Sequence, residues 1–379
     1  MQQGRSINLD VNRVVSTRYF CNKMWQATRY CLSHLEDYEH GSSGSSSSMT
    51  VNPPSQEASL LEKWLLNKLA RLVKNMNTGM DKYEIASATT SFRLFFLNDF
   101  CDTFIEFSKP VLYNTEDENA LQHRRRMQET LQVTLDTLLR LSHPLLPFIT
   151  EELWQRLPAN CRERNSSHHQ RTRDENDHVI SIMTSKYPSA DDFNDLTDTD
   201  SETRFESVLS VMQTTRALRS TTNALFAKGM KPEVEFYIED EATTTSLSTT
   251  SRTTTLVGDI NGHENAILNM AKLGGMRVIT DGSSVPTNGA VVSTADGGRV
   301  TVALLIPNDA ETAEKVELEI KRLEKRSASL EKNIGGLEAK VSNVKIPEEQ
   351  RNKSAASLNE KRVEMKALLS NIEELNRLL

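Results

Sequence analysis

The chain has 379 residues, 37% of them apolar and 26% charged, with a formal net charge of −7. That length suits two or three domains, and the polarity predicts that some segments stay unpacked. No apolar run of about 18 residues predicts a membrane span, MQQGRSINLD lacks the apolar stretch of a secretion signal, and Cys21, Cys31, Cys101 and Cys161 form no CxxC pair. Free thiols in a reducing, cytoplasmic setting are therefore expected, and no zinc site.

Residues 10–33 have helical periodicity, with Asp10 able to cap the start. Val11, Val14, Val15, Cys21, Trp25 and Leu32 fall within one apolar arc of about 120°. Residues 40–56 (HGSSGSSSSMTVNPPSQ) are a linker with nothing to bury. A second helix over 57–78 presents Leu61, Trp64, Leu65, Leu69, Leu72 and Met76. A third, over 81–108, carries Phe92, Phe95, Phe96, Phe100, Phe104 and Phe107 and should stop at Pro110. A fourth spans 119–142, and a short fifth begins at Thr150 as N-cap and ends near Pro158. Long helices with short loops predict an antiparallel bundle.

Residues 159–204 show no sustained period and should be mostly disordered, apart from a short strand at 179–183. A helix covers 206–228. The period then changes to two at Val234, Phe236 and Ile238. A Ser/Thr tract fills 241–255, and 260–273 reads as a strand end and a helix. Strands follow at 277–280, 290–294 and 300–306, the last two joined by the hairpin signal Asp296-Gly297-Gly298. Together these make a small α/β unit.

The clearest pattern closes the chain. Val316, Ile320, Leu323, Ser327, Leu330, Ile334, Leu337, Val341 and Val344 step alternately by four and three. After Pro347 the stepping resumes at Leu358, Lys361, Met365, Leu368, Ile372, Leu375 and Leu379. Two heptad helices around a proline break predict an antiparallel hairpin with arms of about 35–45 Å, in preference to an intermolecular coiled coil. The predicted fold is thus mainly α: a helical domain over 1–160, an acidic low-order loop over 161–205, a helix plus the small α/β unit over 206–308, and a coiled-coil arm over 309–379.

Charge is unevenly spread. Residues 171–206 hold ten acids and four bases, or −6. Residues 1–31 hold five bases and one acid, and residues 321–345 seven bases and three acids, +4 each. A nucleic-acid partner would meet those two cationic regions. On the first helix Arg18, Asn22, Trp25 and Arg29 follow i, i+4, i+7, i+11 and form one line that coincides with the apolar arc. Arginines there need internal partners, for which Asp99, Asp102 and Glu106 are available, or a ligand. Arg13 and Lys23 lie outside the arc, free for phosphate. Arg124-Arg125-Arg126, Arg216 and Arg219 are further candidates, with solvated faces as their bland reading. On the hairpin Lys321, Arg322, Lys325, Arg326, Lys332, Lys340 and Lys345 flank the seam.

No recognised catalytic motif stands in the chain: no phosphate-cradling GxxxxGK[ST], no GxGxxG after a strand, no GxSxG elbow and no HExxH. Met183-Thr184-Ser185-Lys186 superficially suggests the lysine-bearing ATP loop of class I aminoacyl-tRNA ligases, but Ile182 stands where a further lysine belongs.

GRSINLDVNRVVSTRYFCNKMWQATRY (4–30) resembles the start of the anticodon-binding domain of eukaryotic cytosolic-type valine–tRNA ligases, except that Gln26 stands where the family often has Asn. LEKWLLNKL (61–69), FCDTFIEFSKPVL (100–112), LLRLSHPLLPFITEELWQRLP (138–158), the KPEVEFYIED strand and the closing heptad hairpin fit the same family in order. The HPxxPF-x-TEELW block is shared with leucine and isoleucine ligases; the hairpin with its KIPEE break favours valine.

The resemblance implies a tRNA partner, gripped at the anticodon stem-loop by the bundle and at the outer corner by the arm. It also implies that ATP and magnesium belong to domains which in that family precede GRSINLD. Only three residues precede it here, so the family's adenylation and editing residues have no positions in this chain, and the chain alone is expected to be catalytically silent. Two other readings stay open: half of a split ligase that needs a separate catalytic polypeptide, or a non-catalytic coiled-coil assembly protein.

Overall fold

The computed structural model describes residues 10–38, 58–158, 181–196, 198–226, 229–238, 248–280, 285–286, 289–307, 310–342 and 348–376. The 40–56 linker, Cys161 and the 179–180 end of the expected strand lie outside them. Contacts divide the chain into two units, Met1–Glu206 and Ser207–Leu379.

The first unit is the helical bundle. Helix α1 (Val11–Ser33) starts at Asp10, whose carboxylate accepts from Asn12 N at 3.0 Å. Helix α2 (Leu60–Asp81) opens with a capping box, in which Glu62 Oε2 accepts from Ser59 N at 2.7 Å. The six residues expected to face inward on α2 are all buried, Leu65, Leu69 and Met76 completely. Gly79 is required in the last turn of α2, because a Cβ there would stand 2.8 Å from Ala88 Cβ.

The third helix departs from expectation at its start, in its middle and at its end. It begins at Ile85, after a turn in which Tyr83 adopts φ +59°. It runs as α3 (Ile85–Leu94), a π-helical segment (Phe95–Phe104) and α4 (Ile105–Tyr113). Phe92, Phe96, Phe100 and Phe104 are spaced by four and buried in one row, with neighbouring rings 5.8–6.1 Å apart. That spacing exceeds the 3.6-residue period, and the wider turn takes up the difference. Pro110 does not stop the helix. It sacrifices one backbone bond, while continuation seats Leu112 in the core and sets Tyr113 edge-on to His34 at 4.9 Å.

Helix α5 (Glu118–Ser142) is capped by Asp117, which accepts from Ala120 N at 2.6 Å. Helix α6 (Pro147–Trp154) starts at Pro147 rather than after Thr150. Thr150 is interior, and its hydroxyl donates to Leu146 O at 2.8 Å. Asp136, 5% exposed, accepts from Trp154 Nε1 at 2.9 Å and pairs with Arg140 at 2.7 Å, tying α5 to α6.

Much of the stretch expected to be disordered is ordered. Residues 181–196 form two 3-10 segments, Ile182–Thr184 and Ala190–Leu196, in place of the predicted strand. Ile182 and Phe193 are buried. Two asparagines of α2 hold the segment by its backbone: Asn77 Oδ1 accepts from Ala190 N at 2.9 Å, and Asn67 Oδ1 accepts from Asp198 N at 2.9 Å. A periodicity search misses this, because the anchors are side-chain amides on another helix. Helix α7 (Thr199–Thr221) starts seven residues earlier than predicted, because Asp198 caps it by accepting from Ser201 N at 3.1 Å.

The second unit holds a four-stranded mixed sheet of order β2-β1-β4-β3. Strand β1 (Glu233–Ile238) pairs parallel with β2 (Gly275–Ile279) and antiparallel with β4 (Val300–Leu305), which pairs antiparallel with β3 (Ala290–Ala295). The predicted hairpin turn is present, with Gly297 at φ +66° and Gly298 at φ +98°. Residues 248–255 of the Ser/Thr tract belong to helix α8 (Ser248–Gly262), and helix α9 (Glu264–Ala271) follows, so no strand end is seen at Ile260. Buried Leu256, Ile260 and Ile267 decide this, spaced at helical intervals that a strand could not turn to one side.

Helices α10 (Ala310–Ser342) and α11 (Glu348–Asn376) form the hairpin. Val316, Ile320, Leu330, Leu358, Leu368 and Leu375 of the seam are buried. Arg326 pairs with Glu364 at 2.9 Å and Arg362 with Glu338 at 2.6 Å, a register that rises along one helix as it falls along the other. The fold is mainly α with a small α/β unit, as the sequence predicts.

Candidate nucleic-acid interface

The face of α1 that enters the core is not the apolar arc. Met24, Ala27, Thr28, Cys31 and Leu35 are buried, whereas Val11, Val14 and Val15 are 65%, 54% and 40% exposed. At 100° per residue, that core face is centred about 140° from Val11. The line Arg18, Asn22, Trp25, Arg29 therefore faces solvent: Trp25 is half-buried and the other three are exposed. The internal partners weighed for the arginines are otherwise engaged. Asp102 lies 3.5 Å from Lys23, and Glu106 holds Lys109 at 2.7 Å. Asp99 sits among Lys68, Arg71, Glu202 and Glu206, and burial pushes its carboxyl up to about 6. Among the described residues, Arg18 and Arg29 make no ion pair.

Trp25 is roofed by an arginine that the sequence did not single out. The Arg156 guanidinium lies 4.9 Å above the ring, steered by Glu152. An indole and three guanidiniums thus share one surface of the bundle, the composition that stacks bases and binds phosphates.

A cavity of about 320 Å³ opens beside α1. Phe20 and Phe92 give it aromatic walls, Ser16, Thr17, Thr89 and Ser142 supply hydroxyls, Leu145 and Leu146 close one end, and Arg93 brings a cation. Phe148, two residues beyond Leu146, is 90% exposed, and Tyr19, beside Phe20, is 67% exposed. The sequence singled out none of these as a contact for RNA. The available signal was an aromatic placed just after Pro147 at the start of a helix too short to bury it.

The remaining candidates separate clearly. Arg124 is bound to Asp37 at 2.7 Å and Arg126 is half-buried, which leaves Arg125 as the exposed member of the triplet. Arg216 is exposed; Arg219 lies on the Phe226 ring at 4.8 Å and donates to Asn223 Oδ1 at 2.9 Å. On the hairpin, Lys321 pairs with Glu317, Arg322 with Glu319 and Arg326 with Glu364. Lys325 and Lys332 are exposed and make no ion pair among the described residues. The side chains of Arg13 and Lys340, and the whole of Lys345, lie outside the described residues. Lys186 of the Met183-Thr184-Ser185-Lys186 run is held by Asp192 at 2.7 Å. No helix among the described residues is long and apolar enough to cross a membrane.

Residues 62–230 match the family described as the anticodon-binding domain of tRNA ligases. Over 86% of its length the chain is 31% identical to a human valine–tRNA ligase, of which it covers 22%. It is 30% identical over 99% of its length to a mitochondrial valine–tRNA ligase of Saccharomyces cerevisiae, covering 30% of that protein, and 30% identical over 94% to a mitochondrial one of Arabidopsis thaliana, covering 29%. The chain thus spans less than a third of the length of these relatives. With its helical bundle, small mixed sheet and terminal hairpin, the chain belongs to the anticodon-binding family of tRNA ligases, as a homologue of the valine–tRNA ligases.

Proposed function

We propose that this chain is the tRNA-gripping part of a valine–tRNA ligase. The solvent face of α1 carries the reading: a line of arginine, asparagine and tryptophan points away from the core and has no acidic partner among the described residues. A folded RNA supplies what this face lacks, phosphates for Arg18 and Arg29 and base faces for Trp25 and Arg156. The cavity beside Phe20 has room for one nucleobase splayed out of a single-stranded loop, with Arg93 at its edge for the adjoining phosphate. No step of valine activation is assigned to these residues; ATP and magnesium would enter with the rest of a ligase, on the same or a separate polypeptide. The proposed compartment is the cytoplasm, where the buried thiols of Cys31 and Cys101 stay reduced.

Fluorescence anisotropy with a tRNA transcript tests the reading. Affinity should fall steeply with salt, and the Arg18→Ala/Arg29→Ala pair should lower the slope of log affinity against log salt by about 2. A chain that binds tRNA no better than polyglutamate or heparin would instead be a coiled-coil assembly protein. Preference for valine-specific transcripts supports the valine assignment. Valine-dependent ATP–pyrophosphate exchange by the pure chain would overturn the separation of grip from chemistry.

A further inference from the structure

The two helices of the hairpin present different surfaces to solvent. On α10, Lys321, Lys325, Ser329, Lys332 and Gly336 lie within about 40° of one another's mean direction, opposite the seam. All five are exposed. From residue 318 onward no acid shares this face: Glu319, Glu324, Glu331 and Glu338 stand about 100° or more to one side or the other. Lys325 and Lys332, about 10 Å apart along the axis, have no ion-pair partner among the described residues. On α11, by contrast, Lys361 and Arg362 are both taken by glutamates, and Lys366, exposed and without an ion pair among the described residues, shares its side of the helix with Glu373.

The same face of α10 carries one of a costly pair, Gly336, with Gly335 about 80° to its side. Gly335 and Gly336 interrupt a 33-residue helix. Glycine weakens a helix interior relative to alanine, since its backbone loses more freedom on ordering. Packing does not account for them, since a Cβ at either position would meet nothing within 4 Å. Both have ordinary helical backbone, so no positive φ calls for them. What two adjacent glycines do provide is a bare stretch of main chain beside Lys332, where another backbone can come close.

We propose that the outer face of α10 from Lys321 onward, where no acid lies, is the arm's RNA-facing side, with a phosphodiester strand lying along Lys325 and Lys332 and making its closest approach at the Gly335–Gly336 main chain. This rests on the tRNA-binding reading above and adds which helix, which face and why the glycines are there. Lysines supply charge without sequence readout, which suits recognition of the shape of a folded RNA.

The full chain and a tRNA transcript suffice for the test. Gly335→Gln/Gly336→Gln should raise helicity by circular dichroism and the melting temperature of the arm, yet weaken tRNA binding about tenfold, the scale of one good contact. Lys325→Ala/Lys332→Ala should lower the salt slope by about 2, while Lys366→Ala on α11 leaves it unchanged. If the glutamine variant binds tRNA as tightly as the parent, or if Lys366→Ala weakens binding as much as the lysine pair, the face is misassigned although the chain still binds tRNA. If the parent chain binds no tRNA, the broader reading falls and takes this one with it.

Discussion

Phe100 of the bundle is completely shielded from solvent, whereas Leu330, among the best-buried residues of the hairpin, remains 6% exposed. The segments that carry them are both long and helical, but they differ in how many sides they pack. The Ile85–Tyr113 stretch meets different helices along its length, with Phe107 meeting Phe205 of α7 at 5.3 Å while Phe92 and Phe96 meet Phe20 of α1 at 6.4 and 5.5 Å. Beyond the place where α10 meets the 3-10 turn Asn223–Leu225, each hairpin helix has the other as its partner and buries only a narrow seam. The difference teaches that a helix with one neighbour declares its buried face in its own period, whereas a helix among several neighbours takes its buried face from them.

Unfolding measurements can break or sharpen that contrast. Phe100→Ala should cost about 3–5 kcal/mol, and Leu330→Ala about 2 kcal/mol, because a two-helix seam can close around a lost side chain. Urea titrations of the two variants check this; equal losses would mean that the hairpin is as tightly enclosed as the bundle. Asp136→Ala should cost about 3 kcal/mol, since it strands the buried Trp154 N–H and leaves Arg140 without its carboxylate. Asp136→Asn, which keeps an acceptor for the indole, should recover part of that loss in the same titration.

The two units should also respond oppositely to pH. Burial raises Asp99 from an ordinary value of 3.8 to about 6, so the folded bundle keeps a proton that the unfolded chain releases. Its contribution is complete below about 4 and is lost as pH rises from about 4 to 6. Burial lowers His263 below its ordinary 6.5, so the sheet unit loses stability as pH falls below about 6.5, where only the unfolded chain takes up the proton. Asp99→Asn should remove the first dependence and His263→Gln the second, read from urea midpoints at pH steps between 4 and 8. The smallest effect is expected at the rim of the bundle: Ser59→Ala removes the capping box of α2 and should cost about 1 kcal/mol, measured by thermal melting.

Local signals carried most of the element boundaries. Asp10 and Asp117 cap where polar residues precede periodic runs, and Asp296-Gly297-Gly298 turns where two strands need it. Pro110 misled because its cost is one hydrogen bond, while the gain on continuing comes from Leu112 and Tyr113 meeting residues distant in sequence. The interface was half legible. The line Arg18–Asn22–Trp25–Arg29 was visible as a line, but the apolar arc it coincides with does not face the core, which left pairing and ligand contact undecided in the sequence. Arg156 and the Phe20–Arg93 cavity were invisible, because each joins residues on different helices.

The amino-acid sequence by itself determined the family, the helical character of both ends, the alternating strands and the heptad hairpin, since these follow from spacings within one segment. Only the tertiary structure decided that Val11 and Arg18 face water, that residues 181–196 dock on α2, and that Arg124 is spent on Asp37 while Lys325 is not. The reason is the same in each case. Burial and pairing depend on which neighbour occupies the space beside a side chain, and that neighbour comes from a part of the chain that local periodicity cannot see.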